Sequence, residues 1–512
     1  MKFVGKLVKQ TAQLEYKRSL KKDLSFNLQQ DTLLKLLKFS RRTLLGKTYR
    51  FTKIIASKDL ITEFQKQVPI QNYDEFYITW LQHTIAGKKN IIWPGKINYF
   101  ALSSGTTGAP SKQIPITKQM IKSFQKTSLK QIVTLCQFNL PTEFFQKQVL
   151  VVGGSSKLNK IEKRYEGDLS GILKKHTKKI ATPFAKPSKR ISDIKDWNKK
   201  LEKIVEEAPK WDIGILVGVP AWCQLLLEKI IERYQLKNIH DIWPNLTLYV
   251  HGGVSFEPYR KSFDSLVARP LTCIETYLAS EGFIAYQDEQ DNRSMKLVTN
   301  NGLFFEFVPF NEENFNGDGE LVRKPKTFLI DEVKVDEEYA LLLSTCAGAW
   351  RYLIGDVVKF TNVEKAEIII SGRTKHYLSL CGEHLSVDNM NKAIEMVSDE
   401  LDIRINEFTV AGIKHGSMFA HKWFIGTDDK VNAVELKFLI DTRLKMLNDD
   451  YRVERTSALK DIVVVVLSHQ VFLNWMESKG KIGNQNKFPR VMKNSQLEQW
   501  EEFVNQLLQQ SN

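Results

Sequence analysis

Short apolar runs that alternate with long amphipathic segments constrain the fold of this 512-residue chain more than any other feature. Four such runs have the length and composition of buried strands, at residues 148–152, 213–217, 247–250 and 272–277. Amphipathic stretches with helical spacing accompany them, for example at 116–138 and 221–234. Strands that alternate with helices predict an α/β fold with a largely parallel sheet.

The pattern restarts beyond residue 372 as a smaller unit. Helices are predicted near 386–399, 432–448 and 495–509, and strands near 408–413, 422–426 and 461–467. At the other end, leucines at helical spacing predict helices within residues 1–60. We therefore expect a large N-terminal domain, residues 1–372, and a small α+β C-terminal domain, residues 373–512.

Residues 102–117 carry the strongest functional signal, Ser103-Ser-Gly-Thr-Thr-Gly108 followed by Lys112. Glycines let backbone N–H groups turn toward an anion, and hydroxyl side chains add donors beside them. A lysine supplies a compact positive charge for a polyphosphate. The segment is not a Walker loop, because Pro110 stands where that pattern needs its second glycine. It therefore predicts a phosphate-binding loop of another type, with a plain surface turn as the structural alternative.

Four further polar segments follow, and each is expected to end a strand. They are His251-Gly-Gly-Val254, Tyr277-Leu-Ala-Ser-Glu-Gly282, Trp350-Arg-Tyr-Leu-Ile-Gly-Asp-Val-Val358 and Ser371-Gly-Arg-Thr-Lys375. In open α/β sheets, ligands bind at the carboxyl ends of strands. Each segment also has a structural explanation, for example His251 as a core histidine or Gly355-Asp356 as a hairpin turn. Their order behind the loop at 103–112 nevertheless indicates one shared ligand site.

The net charge of +15 is concentrated in two blocks. Residues 1–60 carry a net charge of +11 and residues 157–210 a net charge of +8. Such surfaces attract nucleic acids, anionic lipids or small polyanions. Lysine dominates over arginine, however, and neither block interleaves aromatic residues for base stacking. We therefore expect no nucleic-acid partner.

The five cysteines are scattered and never show Cys-x-x-Cys spacing, which favours a reduced, cytoplasmic protein. No apolar run approaches the roughly 18 residues of a membrane span, so no membrane span is expected. The basic N-terminus lacks the apolar core of a signal peptide. Histidines and cysteines show no metal-ligand spacing, and no Gly-x-Ser-x-Gly elbow is present.

The motifs at 103–108, 277–282 and 351–356 resemble those of the acyl-acid amido synthetases of the Gretchen Hagen family. That family belongs to the adenylate-forming superfamily, with acyl-CoA ligases, luciferases and peptide-synthetase adenylation domains. The resemblance extends to Asn484-Gln-Asn-Lys-Phe-Pro-Arg490. It implies a large adenylate-forming domain with mixed or parallel sheets and a small, mobile C-terminal lid domain. It also implies ATP and Mg²⁺ as cofactors, with a small carboxylic acid and an amino acid as substrates.

The same resemblance implies a role for each matching residue in nucleotide binding. The ATP phosphates would be bound by Ser103, Ser104, Thr106, Thr107 and Gly108. Tyr277 would lie against the adenine, Ser280 beside the phosphate, and Asp356 on both ribose hydroxyls. A carboxylate accepts two such hydroxyl donors readily, because it has only acceptor sites when ionised.

The remaining implied roles concern catalysis. Glu281 would bind Mg²⁺, for which a carboxylate is a suitable hard ligand, and Arg373 would help to hold the ribose or phosphate. Lys375 would mark the hinge, and Lys487 would reach the site from the C-terminal domain during adenylation. Lys481 is the alternative lysine, although the sequence around Lys487 matches the family better.

The loop departs from the superfamily pattern at Pro110-Ser-Lys-Gln113, where Pro-Lys-Gly is usual, which leaves open whether Lys112 contacts phosphate. The expected reaction forms an acyl-adenylate and pyrophosphate, and an amino acid amine then attacks to give an amide and AMP. A carboxylate–CoA ligase, and a nucleotide- or nucleic-acid-binding protein of the same fold, are the alternatives. Phe124 and Trp222 are candidate walls of the acyl pocket.

Overall fold

The structure is a computed structural model of the chain. It describes residues 9–16, 27–103, 112–138, 140–177, 183–253, 256–290, 292–316, 319–322, 324–374, 378, 380, 383, 385–415, 418–455, 459–480, 488–492 and 495–510.

Nineteen strands form three sheets among the described residues. In chain order they are β1 Tyr99–Ser103, β2 Lys112–Ile116, β3 Gln148–Val151, β4 Asn159–Ile161, β5 Arg164–Gly167, β6 Ala185–Lys186, β7 Ile213–Val217, β8 Leu248–Gly252, β9 Thr272–Ala279, β10 Gly282–Tyr286, β11 Met295–Leu297, β12 Leu303–Pro309, β13 Glu338–Thr345, β14 Tyr352–Asn362, β15 Glu367–Arg373, β16 Glu407–His415, β17 Met418–Gly426, β18 Leu459–Leu467 and β19 Val491–Met492.

The helices surround these sheets. The α-helices are Asn27–Ser40, Leu44–Thr48, Phe51–Ile55, Leu60–Gln67, Tyr73–Phe76, Gln82–Ile85, Lys118–Thr134, Leu169–Lys175, Lys189–Ser192, Trp197–Glu207, Pro220–Tyr234, Arg260–Ser265, Val387–Leu401, Ala433–Leu447, Asp449–Glu454, His469–Ser478 and Ser495–Gln510. Residues 9–16 are also helical, Tyr77–Leu81 form a π-helical turn, and 3₁₀ turns lie at Leu135–Gln137, Thr142–Gln146, Ala208–Lys210, Ile239–Asp241 and Glu257–Tyr259. Within the described residues, no helix is long and apolar enough to cross a bilayer.

The largest sheet has eleven strands in the order β12-β13-β14-β15-β11-β10-β9-β8-β7-β3-β6. The strands from β9 to β6 are parallel, whereas those from β9 to β12 are antiparallel. The α/β class is therefore confirmed, but the expectation of a largely parallel sheet is wrong. The chain reverses at Ser280-Glu281, a link too short for the crossover that a parallel neighbour of β9 would need.

A four-stranded sheet, in the order β2-β1-β5-β4, carries the predicted phosphate loop. β1 and β2 form a hairpin in which Ser103 pairs with Lys112, so residues 104–111 connect the two strands. The helix Lys118–Thr134 follows directly. Its N-cap is Thr117, whose hydroxyl accepts a hydrogen bond from the Met120 amide and satisfies a free donor of the first turn.

The C-terminal part has its own sheet, in the order β18-β17-β16-β19. Side chains alternate between its two faces, as strand geometry requires. Phe408 and Trp423 pack with the helices Val387–Leu401 and Ala433–Leu447, whereas Phe424 packs with Trp500 and the two last helices. The helices and strands predicted beyond residue 372 are all present. The boundary itself stays a prediction, supported by the end of β15 at Arg373.

The expectation that segment 350–358 ends a strand is wrong. β14 begins at Tyr352 and continues to Asn362, so Asp356 lies within the strand. Phe124 and Trp222 are core residues: Phe124 belongs to the main hydrophobic cluster, and Trp222 packs edge-on against Trp197 with ring centroids 4.9 Å apart. Neither observation supports them as walls of an acyl pocket.

Candidate functional site

The site forms where the parallel half of the large sheet meets the antiparallel half. Ala279 pairs with Gly282, and the tight turn between them contains Ser280 and Glu281. A Cβ atom at Gly282 would lie 2.7 Å from the side chain of Leu303, so a larger residue here would displace that leucine. The turn buries the carboxyl group of Glu281 at the end of β9, which is also the strand of Tyr277.

Asp356 reaches the same place from β14. Its strand neighbour Gly355 has φ +91°, a left-handed conformation that favours glycine. Asp356 pairs with Arg373 across β14 and β15, and the ladder becomes irregular immediately afterwards, between Val357 and Val358. The glycine and the irregular ladder therefore flank Asp356, at the point where β14 borders the candidate site.

Two side chains, those of Tyr277 and Arg373, hold Asp356, and we call these three residues together the Asp356 cradle. The Tyr277 hydroxyl donates a hydrogen bond to Asp356 Oδ2, and Arg373 Nε lies 3.0 Å from Asp356 Oδ1. Burial, followed by the charge of Asp356, raises the pKa of Tyr277 well above its usual value. The carboxylate likewise raises the pKa of Arg373, so both donors keep their protons.

The Glu281 carboxyl lies in the electrostatic field of this cradle. Burial raises its pKa to about 7, its own backbone N–H and the charges of Lys112 and Arg373 oppose the shift, and Asp356 adds to it. Lys112 lies with its ammonium 5.2 Å from the ring centroid of Tyr73, whose hydroxyl accepts a hydrogen bond from the Gln113 amide. The charge of Lys112, which follows the predicted phosphate loop, therefore acts on Glu281.

Sequence reasoning missed two tyrosines near this carboxyl group. Tyr352 is buried, and its pKa is raised well above the usual value first by burial and then by Glu281. Its hydroxyl has no hydrogen-bond partner among the described residues. Tyr73 lies nearby and contributes to the same shift. Tyr352 could have been found from the sequence, because it lies four residues before Asp356 in the same motif. Nothing in the sequence connects Tyr73 with this site, because Tyr73 is distant from the motif.

Arg351 belongs to the same motif but serves the core. It has φ +43° and is buried, with its guanidinium 3.0 Å from the carboxylate of Glu306. It also donates to the carbonyl oxygens of Gln65 and Val68, both at 2.9 Å, and to the hydroxyl of Thr327. Arg351 therefore ties β14 to the helices at the N-terminal end of the chain.

His251 is a packed residue of β8. It lies between Tyr249 and Phe256, with ring centroids at 5.4 and 4.8 Å. Burial, with a contribution from Arg260, lowers its pKa to about 3, so the ring is neutral. Gly252 is required because a Cβ atom would lie 2.4 Å from the Thr276 carbonyl oxygen. His251 therefore has the structural explanation that the sequence left open, and Gly252 is needed for the close approach of β8 and β9.

Several predicted site residues fall outside the described residues. These are Ser104, Thr106, Thr107, Gly108, Lys375, Lys487 and the alternative Lys481. Ser103 ends β1, and Ser280 occupies the turn before Glu281. Of the predicted set, the structure thus brings together Tyr277, Ser280, Glu281, Asp356 and Arg373.

The whole chain resembles solved structures of adenylate-forming enzymes. The chain named GH3.15 acyl acid amido synthetase superposes with a TM-score of 0.75, covering 95% of both chains at 16% identity. A 2-hydroxyisobutyryl-CoA ligase in the postadenylation state has a TM-score of 0.60 at 11% identity, covering 94% of this chain and 91% of the ligase. The fold is therefore that of the adenylate-forming class, which includes amido synthetases and CoA ligases.

Family models cover most of the sequence. The GH3 family N-terminal domain matches residues 21–153 and 137–270, the GH3 family central domain residues 296–369, and the GH3 family C-terminal domain residues 388–496. The chain belongs to the GH3 family.

Two curated relatives illustrate this membership. Indole-3-acetic acid-amido synthetase GH3.4 of Arabidopsis thaliana is 29% identical over 317 residues, which are 57% of this chain and 52% of the relative. Jasmonoyl–L-amino acid synthetase JAR4 of Nicotiana attenuata is 35% identical over 127 residues, 24% of this chain and 21% of the relative. The match thus spans about half the length of the first relative and less of the second.

Proposed function

We propose that the protein is an ATP-dependent acyl-acid amido synthetase. It adenylates a small carboxylic acid and transfers the acyl group to the amine of an amino acid, releasing pyrophosphate and AMP. The observation that carries this proposal is the Asp356 cradle beside the buried Glu281, in a chain of the GH3 family.

The cradle suits a ribose. An ionised carboxylate has about four acceptor sites, and Tyr277 and Arg373 occupy one each. The remaining sites of Asp356 are enough for the two hydroxyls of a ribose. The hydroxyl bond also fixes the Tyr277 ring, whose face can then stack against an adenine without losing further side-chain freedom.

Glu281 fits as a ligand for Mg²⁺. The described residues contain no cluster of three or more His, Cys, Asp or Glu that could hold a metal alone. Mg²⁺ typically takes one or two carboxylates and completes its coordination with water and substrate phosphates. Bound there, it would neutralise phosphate charge. To bind the cation, Glu281 must release its proton, and a pKa of about 7 allows this near neutral pH.

The loop at 103–108 is proposed for the ATP phosphates because it connects β1 with β2, and β2 begins at a lysine whose charge acts on Glu281. Ser103 pairs with Lys112, and the charge of Lys112 acts on Glu281. Ser280, in the turn before Glu281, is assigned to the same phosphates. Two further assignments rest on the family motifs. Lys487 is proposed to stabilise charge during adenylation, and Lys375 is proposed as the hinge. No side-chain nucleophile is required, since the adenylate itself activates the acyl group.

We also propose a cytoplasmic location. Cys136, Cys223, Cys273 and Cys346 are thiols in the structure, as expected in a reducing compartment. A nucleic-acid partner remains unexpected, because the basic blocks lack aromatic residues arranged for base stacking.

The first experiment measures pyrophosphate release from Mg·ATP with a panel of carboxylic acids, crossed with the twenty amino acids and with CoA. Release that requires both an acid and an amino acid supports the proposal, and mass spectrometry of the amide names the substrates. Release with CoA as the sole effective acceptor points instead to a carboxylate–CoA ligase, which shares the fold and the first step. ATP binding without turnover throughout the panel would leave only nucleotide binding.

Site variants test the residue assignments in the same assay. Glu281→Ala and Lys487→Ala are expected to abolish ATP–pyrophosphate exchange. The matched control is Lys460→Ala, because Lys460 is exposed on β18. Full exchange activity in the Glu281 or Lys487 variant would overturn that assignment.

A further inference from the structure

A short segment of the N-terminal part, residues 257–265, forms side-chain hydrogen bonds with the C-terminal part. We call this set of contacts the grip. The segment consists of the 3₁₀ turn Glu257–Tyr259 and the helix Arg260–Ser265. The contacts are Tyr259 Oη to Glu407 Oε2 at 3.2 Å, Ser262 Oγ to Asn406 Oδ1 at 2.7 Å, and Lys261 Nζ to the Ser398 carbonyl oxygen at 2.6 Å. These contacts join the ligand-binding part of the chain to the proposed lid.

Water is largely excluded from the first two contacts. Tyr259 is 2% exposed, Ser262 4%, Asn406 8% and Glu407 7%. A buried polar group that lacks a hydrogen-bond partner destabilises the protein far more than a hydrated one. Each of these groups is therefore satisfied only when its partner lies opposite. The set therefore favours one relative orientation of the two parts over neighbouring ones.

Glu407 also contacts Arg490, which follows Lys487 by three positions in the sequence. The Arg490 guanidinium forms a salt bridge with Glu407, donates to the Phe408 carbonyl oxygen at 2.9 Å and lies 4.3 Å from the Phe408 ring centroid. Arg490 directly precedes β19, which pairs in parallel with β16 at Val410. One carboxylate thus receives Tyr259 from the N-terminal part and the residue three positions after Lys487 from the C-terminal part.

The segment 257–265 also adjoins the edge of the large sheet at which the candidate site lies. Phe256, directly before the segment, packs against His251 at the carboxyl end of β8. β8 pairs with β9, the strand that carries Tyr277 and leads into Glu281. A continuous run of packed and hydrogen-bonded residues therefore connects the proposed nucleotide site with Arg490.

We propose that Tyr259 and Ser262 are positioning residues that hold the C-terminal part, through Glu407 and Asn406, in the orientation that serves adenylation. This inference rests on the proposed function, because it assigns the grip to the first of the two half-reactions. Neither residue touches substrate; each acts by keeping Arg490 and its strand in register with the nucleotide site. The amide-forming half-reaction does not depend on the grip.

The test uses the full chain with Tyr259→Phe, Ser262→Ala and the double variant. Each change removes one hydroxyl from the N-terminal side and leaves the Glu407–Arg490 pair intact. Tyr234→Phe is the matched control, since the Tyr234 hydroxyl donates to the Val205 carbonyl oxygen at 3.0 Å within the N-terminal part. ATP–pyrophosphate exchange reports the first half-reaction, and amide formation from a supplied acyl-adenylate reports the second.

Tyr259→Phe is expected to lower the exchange kcat by about tenfold, the loss of one hydrogen bond to a charged group. KM for ATP and the rate from supplied acyl-adenylate should change less than twofold. Small-angle X-ray scattering should show a larger radius of gyration for the double variant than for wild type and Tyr234→Phe.

The outcomes separate this inference from the proposed function. Equal losses in both half-reactions, or a selective loss in the second, would overturn the positioning role. An active wild type with Tyr259→Phe indistinguishable from Tyr234→Phe, in exchange and in scattering, would overturn it as well. A wild type without exchange or product would overturn the proposed function, and with it any role in adenylation, whatever the scattering shows.

Discussion

Asp356 and Arg373 face each other across β14 and β15, with Arg373 Nε 3.0 Å from Asp356 Oδ1. Sixteen residues lie between them in the chain, and the antiparallel register brings them together at the edge of the candidate site. The guanidinium orients the carboxylate of Asp356, and under the proposed function the remaining acceptor sites of that carboxylate bind the ribose hydroxyls. The Tyr277 hydroxyl completes this orientation from β9.

Asp356→Asn should weaken ATP binding far more than it weakens the fold. The amide replaces one acceptor oxygen by a donor that faces Tyr277 or Arg373, so the cradle loses its orientation and the ribose loses an ionised acceptor. We expect KM for ATP in pyrophosphate exchange to rise by about 10- to 100-fold, the usual range for hydrogen bonds to a charged group. Asp212→Asn, at an exposed residue paired with Lys147, serves as control. An unchanged KM would show that Asp356 does not bind the nucleotide.

The raised pKa of Glu281 predicts a pH-dependent stability. The carboxyl has a pKa of about 7 when folded against 4.5 as its usual value, so the folded state favours the protonated form. Its favourable contribution is therefore complete below pH 4.5 and is lost as the pH rises through 7, a difference of about 3 kcal/mol. Glu281→Gln should raise the melting temperature at pH 8 and change it little at pH 5. A stabilisation that is the same at both pH values would contradict a buried titrating carboxyl.

The elements of the fold were largely predictable, but strand direction was not. The run at 213–217 became β7 without change, and the amphipathic stretch at 221–234 became the helix Pro220–Tyr234. Periodicity reports which face of an element is buried, whereas direction depends on the links between strands. The two-residue turn at Ser280-Glu281 is too short to lead into a parallel neighbour of β9. The antiparallel pairing of β9 and β10 could therefore have been predicted from the shortness of this link.

The site was predictable only where a motif carried it. Tyr277, Glu281, Asp356 and Arg373 lie together as the motifs imply. Trp222 packs in a core cluster, and the sequence could not show this because the apolar side of an amphipathic helix can equally face a core or a pocket. Tyr73 could not be found, since its contact with the chain at Gln113 depends on how distant segments pack.

Lys112 is expected to act on Glu281 through its charge. The ammonium lowers the pKa of Glu281 against the effect of burial, so its removal should move the titration to higher pH. Lys112→Met should shift the pH at which activity reaches half its maximum upward, measured as exchange at fixed, subsaturating Mg²⁺. Lys118→Met, at the exposed start of the next helix, is the control. A downward shift, or an equal one in both variants, would rule out this electrostatic role.

The Arg351–Glu306 pair should be important for folding and unimportant for chemistry. Both side chains are almost fully buried, and Arg351 also satisfies two backbone carbonyl oxygens and Thr327. Glu306→Ala leaves a buried guanidinium without its counter-charge, a change that typically costs about 3–5 kcal/mol of unfolding free energy. Urea denaturation measures this loss. The comparison is Glu206→Ala, which breaks an exposed pair with Lys203 and should change stability little. If Glu306→Ala instead kept full stability and lost exchange activity, Arg351 would belong to the active site after all.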